Sequence, residues 1–144
     1  MEFALVLPVL MVVMLAILGY GLVFYTDLSV SNADRAATRL AVVGAEPRQV
    51  YDVVQCALRQ TGMTNAAALT VNYTASSGTC TVTASGQTGN CAPAMQAGQW
   101  VTVGVRYFNT SVVPLPGLSN PYRVADAVTM MMEQPGTVTL PSCP

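Results

Sequence analysis

The sequence predicts an α+β protein, with a long N-terminal hydrophobic helix, a short second helix and a small antiparallel sheet. Three observations predict it. Phe3 to Tyr25 is a run of 23 residues without a charge. Apolar and small residues then recur at helical spacing as far as Leu58. After residue 65 the period changes to two, which is the period of a strand with one buried face. The chain divides accordingly into a helical segment, 1–44, and a globular α+β head, 45–144.

The opening stretch, "MEFALVLPVLMVVMLAILGYGLVFYTD", sets the first constraint. As a helix its uncharged run is roughly 35 Å long, enough to cross a hydrocarbon core of about 30 Å. A cleaved secretory signal has an apolar core of only about 7–15 residues, a basic start and a small-residue cleavage site. No Lys or Arg precedes the run, and no Ala-x-Ala closely follows it. These features favour a membrane anchor over a cleaved signal. Glu2 stands at the mouth of the run, where a carboxylate is costly unless it reaches water or a cation. It either sits in the interface touching water or pairs with an amine from a neighbouring subunit. Pro8 removes a helical hydrogen bond, and Gly19 and Gly21 are further weak points of the same helix.

The helical pattern continues through "DLSVSNADRAATRLAVV". Val30, Ala33, Ala37 and Leu40 form a stripe, widened by Ala36 and Ala41, while Asp34, Arg35, Thr38 and Arg39 are expected on other faces. Gly44 is the expected stop. From Phe3 to Val43 the helix would measure roughly 60 Å. A second helix is expected in "EPRQVYDVVQCALRQTG", with Pro47 in its first turn. Val50, Val53, Val54, Ala57 and Leu58 make its apolar face, Cys56 lies at the edge of that face, and Gly62 ends the helix.

"LTVNYTA" and "TCTVTA" alternate about a Ser-Ser-Gly turn and read as a hairpin. Residues 85–98, rich in Gly and small side chains, read as a loop. "QWVTVGVRYF" is the strongest strand, with Val101, Val103, Val105 and Tyr107 on one face. "VVPLPGLSNP" reads as an ordered crossing loop. "YRVADAVTMMME" reads as a last strand, since a run of strands after a run of helices suits an α+β head.

Composition excludes much chemistry. There is no His, and all six basic residues are Arg, so imidazole bases, His ligands and lysine Schiff bases are absent. The net charge of −1 offers no field to attract nucleic acid. Asp27, Asp34, Glu46, Asp52, Asp126 and Glu133 are scattered and expected as surface charges or ion-pair partners. No catalytic residues, metal site or cofactor are expected, and the Met130–Met132 run reads as strand packing. Four cysteines without a C-x2-C pair, behind a membrane segment, indicate two disulfides in an oxidising compartment. Three connectivities are possible. Cys80–Cys91 with Cys56–Cys143 is preferred, because the first pair brackets a short loop and the second would tie the second helix to the tail.

The residues "EFALVLPVLMVVMLAILGYGLVFY", with Glu2, Phe3 and Pro8 at their head, resemble the N-terminal segment of TadE-like pseudopilins, a branch of the type IV pilin superfamily. "NADRAATRLAVV" is similar to the family's Ala- and Arg-rich continuation, and "VTVGVRY", "VVPLPGL" and "AVTMMME" to its C-terminal pattern. The resemblance implies a subunit that waits in the cytoplasmic membrane with its head outside. It would be processed by a prepilin peptidase and packed by the pilus assembly machinery into an extracellular helical homo-oligomer. Glu2 would pair there with a neighbour's N-terminal amine, and Phe3, Pro8, Gly19 and Gly21 would take part in the same assembly. The family has a basic leader and a cleavage Gly where this sequence opens on Met1, so a mature form, a shortened one or different processing is expected. Major subunit, minor TadE-like subunit of initiation or tip, and membrane-anchored binding module all stay open at this point, with the filament subunit preferred and an enzyme not expected.

Overall fold

The computed structural model describes residues 2–76, 78–91, 98–109 and 121–133, with side chains from residue 6 onward. Helix α1 runs from Glu2 to Val42 with Pro8 inside it. It stops at Gly44, whose φ of 91° lies in the left-handed region that glycine adopts without a Cβ penalty. The Gly44 N–H then donates to Ala41 O (3.1 Å) and the Ala45 N–H to Leu40 O (3.2 Å), so the last carbonyls of the helix are used. Helix α2, Pro47–Gln60, follows at once. The Glu46 N–H donates to Gln49 Oε1 (3.0 Å) and so satisfies a donor at the helix start. Its buried face is Pro47, Val50, Tyr51, Val53, Val54 and Leu58. Tyr51 had no place in the aliphatic pattern, yet it is buried and its hydroxyl donates to Ala66 O (3.3 Å). An aromatic ring with a polar tip can close a core edge in this way.

A 3-10 turn, Ala66–Ala68, leads into the sheet. The strands are β1 (Leu69–Ala75), β2 (Gly78–Thr83), β3 (Gly86–Gly89), β4 (Trp100–Asn109) and β5 (Tyr122–Met131). Their order is β3-β2-β1-β4-β5, and every pairing is antiparallel. The fold is therefore α+β, with both helices preceding a five-stranded sheet. Register places Tyr73 opposite Cys80 and Val103, and Val103 opposite Val128. Leu69, Val71, Tyr73, Val82, Val101, Val103, Val105 and Tyr107 thus line one buried face.

The stretch expected as a loop, residues 85–98, contains strand β3. Its residues, Gly-Gln-Thr-Gly, are largely exposed, so no alternation marks them. The strand exists because its backbone pairs with β2 at the sheet edge, Thr81 opposite Thr88. The disulfide between Cys80 and Cys91, with Cα atoms 4.8 Å apart, ties down its far end. The expected crossing loop before β5 and the C-terminal tail fall mostly outside the described residues.

Helix α1 packs on β4, β5 and α2. Val30, Ala33, Ala37 and Ala41 are buried there, and the small side chains let the helix lie close to the sheet. Two expectations for this helix are overturned. Asp34 and Thr38, expected on other faces, are fully buried, and Ala36, expected in the stripe, is exposed. The cause is that α2 and the sheet flank α1 together, so about half of its circumference is covered where one neighbour would cover a narrower stripe. Thr38 meets its burial locally, its hydroxyl donating to Asp34 O (2.8 Å). Asp34 is accordingly no surface charge.

Candidate functional site

The N-terminal half of α1 is the feature that the head does not explain. From Val6 to Tyr25 the large apolar side chains are almost all exposed, with Leu10 at 66%, Ile17 at 68% and Leu22 at 67%. Bare apolar surface of this extent must be covered by lipid or by other protein. The helix is long and apolar enough to cross a membrane by length and composition. The predicted assembly residues lie along this one element. Glu2 and Phe3 are in its first turn, Pro8 is inside it, and Gly19 and Gly21 follow about three to four turns after Pro8. The fold gathers them on a line and not into a cluster. A Cβ added to Gly21 would meet nothing within 4 Å, so no packing within the chain requires glycine there. Cys56 is disulfide-bonded, and its expected partner, Cys143, lies outside the described residues.

Where α1 enters the head the environment changes within one turn. Thr26 and Ser29 are buried, and their hydroxyls donate back to Leu22 O (2.9 Å) and Tyr25 O (2.8 Å). The Tyr122 hydroxyl at the start of β5 accepts from Asn109 Nδ2 (3.0 Å) and lies 3.4 Å from Thr26 Oγ1. This small polar junction joins the helix to the ends of both β4 and β5. Spacing alone did not single out Thr26, Asn109 or Tyr122. Tyr122→Phe is expected to cost about 1 kcal/mol by leaving the Asn109 amide short of an acceptor. Urea denaturation of the full chain in detergent, followed by the fluorescence of its single Trp, measures this.

Deeper in the head, and well beyond the uncharged run that ends at Tyr25, lies Asp34. Neither of its carboxylate oxygens has a hydrogen-bond partner. Burial, with the Asp126 carboxylate adding to it, raises its pKa from 3.8 to about 7. The Val128 backbone N–H pulls the other way but is not placed to make a full hydrogen bond. Among the remaining acids, Asp52 meets Arg48 at 3.7 Å on the exposed side of α2, a pair of little energetic weight. Among the described residues no group of three or more His, Cys, Asp or Glu could hold a metal ion.

No curated protein and no solved structure matches the chain. Residues 1–39 match the model of a family described as TadE-like protein. That span ends inside α1, after the apolar run and most of the stripe that enters the head. The long helix of this chain is therefore a TadE-like N-terminal segment.

Proposed function

We propose that this chain is a structural subunit of a Tad-type extracellular filament, held in the membrane by α1 before assembly and packed through α1 afterwards. The observation that carries this reading is the bare apolar half of a TadE-like helix, continuous with a folded head. Lipid covers that surface in the waiting state, and the helices of neighbouring copies cover it in the filament. The Cys80–Cys91 disulfide supports a head that lies outside the cytoplasm. Glu2, in the first turn of α1, is the residue proposed to meet a neighbour's N-terminal amine, a pairing that offsets part of the cost of an acid at an apolar border. Phe3, Pro8, Gly19 and Gly21 serve the same packing, and the role is structural and not enzymatic.

Electron microscopy of material sheared from producing cells, with mass spectrometry of the fibre fraction, tests the reading. A major subunit dominates that fraction. A trace amount identifies a minor component of initiation or tip. Retention in the membrane while fibres form overturns the filament role in favour of an anchored module. Glu2→Ala is expected to reduce fibre yield at least about tenfold, the equivalent of losing roughly one charge-assisted contact per subunit. The head should still fold, as read by the Cys80–Cys91 bond and protease resistance. Undiminished yield would remove Glu2 from the assembly contact.

A further inference from the structure

The sheet face turned away from α1 carries a second feature, independent of the filament reading. A shallow groove of about 290 Å³ crosses β1, β4 and β5. Its floor is made of Gly104, Ala125 and Ala127, and Asn72, Arg106 and Arg123 stand around it. Gly104 is at the middle of β4, between Asn72 on β1 and Ala127 on β5. Its backbone is ordinary, since it is not among the glycines of positive φ. A Cβ there would meet only Ala127 Cβ at 3.6 Å, Asp126 O at 3.7 Å and Asn72 O at 3.9 Å, all ordinary contacts. The fold therefore does not need glycine at this position. What glycine does is keep the trough open, and glycine inside a strand often marks the close approach of a ligand.

The chemistry around the floor is one-sided. Arg106 and Arg123 are exposed and, among the described residues, in no ion pair. Arg106 faces Ala125 across the strands, and Arg123 comes two residues earlier on β5, so the two guanidinium groups are diagonal neighbours on one face. The Asn72 carbonyl accepts from Thr81 Oγ1 (3.0 Å), which leaves its amide N–H groups as the donors toward the groove side. Asp126 also lines the groove, but strand alternation starts its side chain on the α1 side, where its carboxylate acts on Asp34 while Oδ1 accepts from the Ala127 N–H (2.9 Å). The groove thus offers donors and an excess of positive charge, the two guanidinium groups of Arg106 and Arg123 against the one carboxylate of Asp126. Along the same face of β4, exposed aromatic rings stand at both ends, Trp100 at 60% and Phe108 at 45%. They are roughly 27 Å apart, with the hydroxyls of Thr102 and Thr129 between them, 2.8 Å from each other.

We infer that this outer face is a binding site for an acidic polysaccharide, an extended chain of carboxylate-bearing sugars. Carboxylates would meet the two guanidiniums, ring hydroxyls the Asn72 and Thr102 groups, and the flat faces of sugar rings Trp100 and Phe108. The glycine trough lets the chain lie against the sheet backbone.

The test uses the full chain in a neutral detergent, with affinity electrophoresis in gels containing polygalacturonate, polyaspartate or dextran. Polygalacturonate should retard the chain at least about tenfold more strongly than either control, because neither charge alone nor sugar rings alone supply both sets of contacts. The double variant Arg106→Gln/Arg123→Gln and, separately, Gly104→Leu should each weaken retardation by about tenfold or more. Both substitutions sit on the solvent side, and unchanged circular dichroism verifies folding; should Gly104→Leu disturb the sheet, the arginine variant alone decides. Absence of retardation, equal retardation by polyaspartate, or wild-type binding by the arginine variant overturns the inference. So does light scattering that shows this face already buried in a dimer of the chain.

Discussion

Asp34→Asn is expected to stabilise the head by about 2 kcal/mol at pH 8 and to flatten its pH dependence between about pH 4 and 7. The folded state raises the pKa of this carboxyl from 3.8 to about 7. Below about pH 4 the group is protonated in both folded and unfolded chains, and its burial carries no ionisation penalty. As pH rises from there, the unfolded chain releases the proton and the folded chain holds it, so stability falls. Above about pH 7 the folded form ionises too and the loss levels off. The full shift corresponds to at most about 4 kcal/mol. The amide of Asn has no partner ready in the same pocket, which halves the expected gain. Urea denaturation at pH 4.5 and pH 8 checks this. Wild-type and variant profiles that run parallel with pH would show that Asp34 is not the group responsible.

Ala37→Leu is expected to destabilise the head by about 2–3 kcal/mol, whereas Ala36→Leu should change stability by less than about 0.5 kcal/mol. Ala37 is fully buried in the core, on the side of α1 that packs against the sheet and α2, and Ala36 is exposed. Leucine at 37 adds three carbons to a space set by the close approach of the helix and must push it away. Leucine at 36 projects into solvent or toward a neighbouring subunit. Thermal unfolding of both variants in the same detergent makes the comparison. Equal losses would mean that the covered side of α1 is drawn wrongly. In cells the pair also separates functions, because a loss of fibres with Ala36→Leu but not of head stability would place that position in a subunit contact.

The line Glu2, Phe3, Pro8, Gly19, Gly21 was legible because it lies within a single helix, where sequence order is spatial order. The outer groove was not, although Gly104, Arg106 and Arg123 were all in view. Gly104 reads as one more small residue until β1 and β5 are laid beside it. Arg106 and Arg123 are far apart in the chain and become neighbours only through the β4–β5 register. Tyr122 likewise reads as a strand residue until Thr26 of α1 and Asn109 of β4 meet its hydroxyl.

The sequence by itself determined the elements whose own patterns are strong: the apolar length of α1, the aliphatic part of the buried face of α2 and the alternation of β1, β2 and β4. Each follows from a local period and from stop signals at Gly44 and Gly62, and needs no knowledge of neighbours. Tertiary structure alone decided which side chains those neighbours would cover. It buried Asp34 and Thr38, left Ala36 bare and made a strand of Gly86–Gly89 through pairing with β2. The physical reason is common to all of these. A residue's burial is set by the number and placement of the elements around it, and an edge strand is held by backbone hydrogen bonds that carry no side-chain signature.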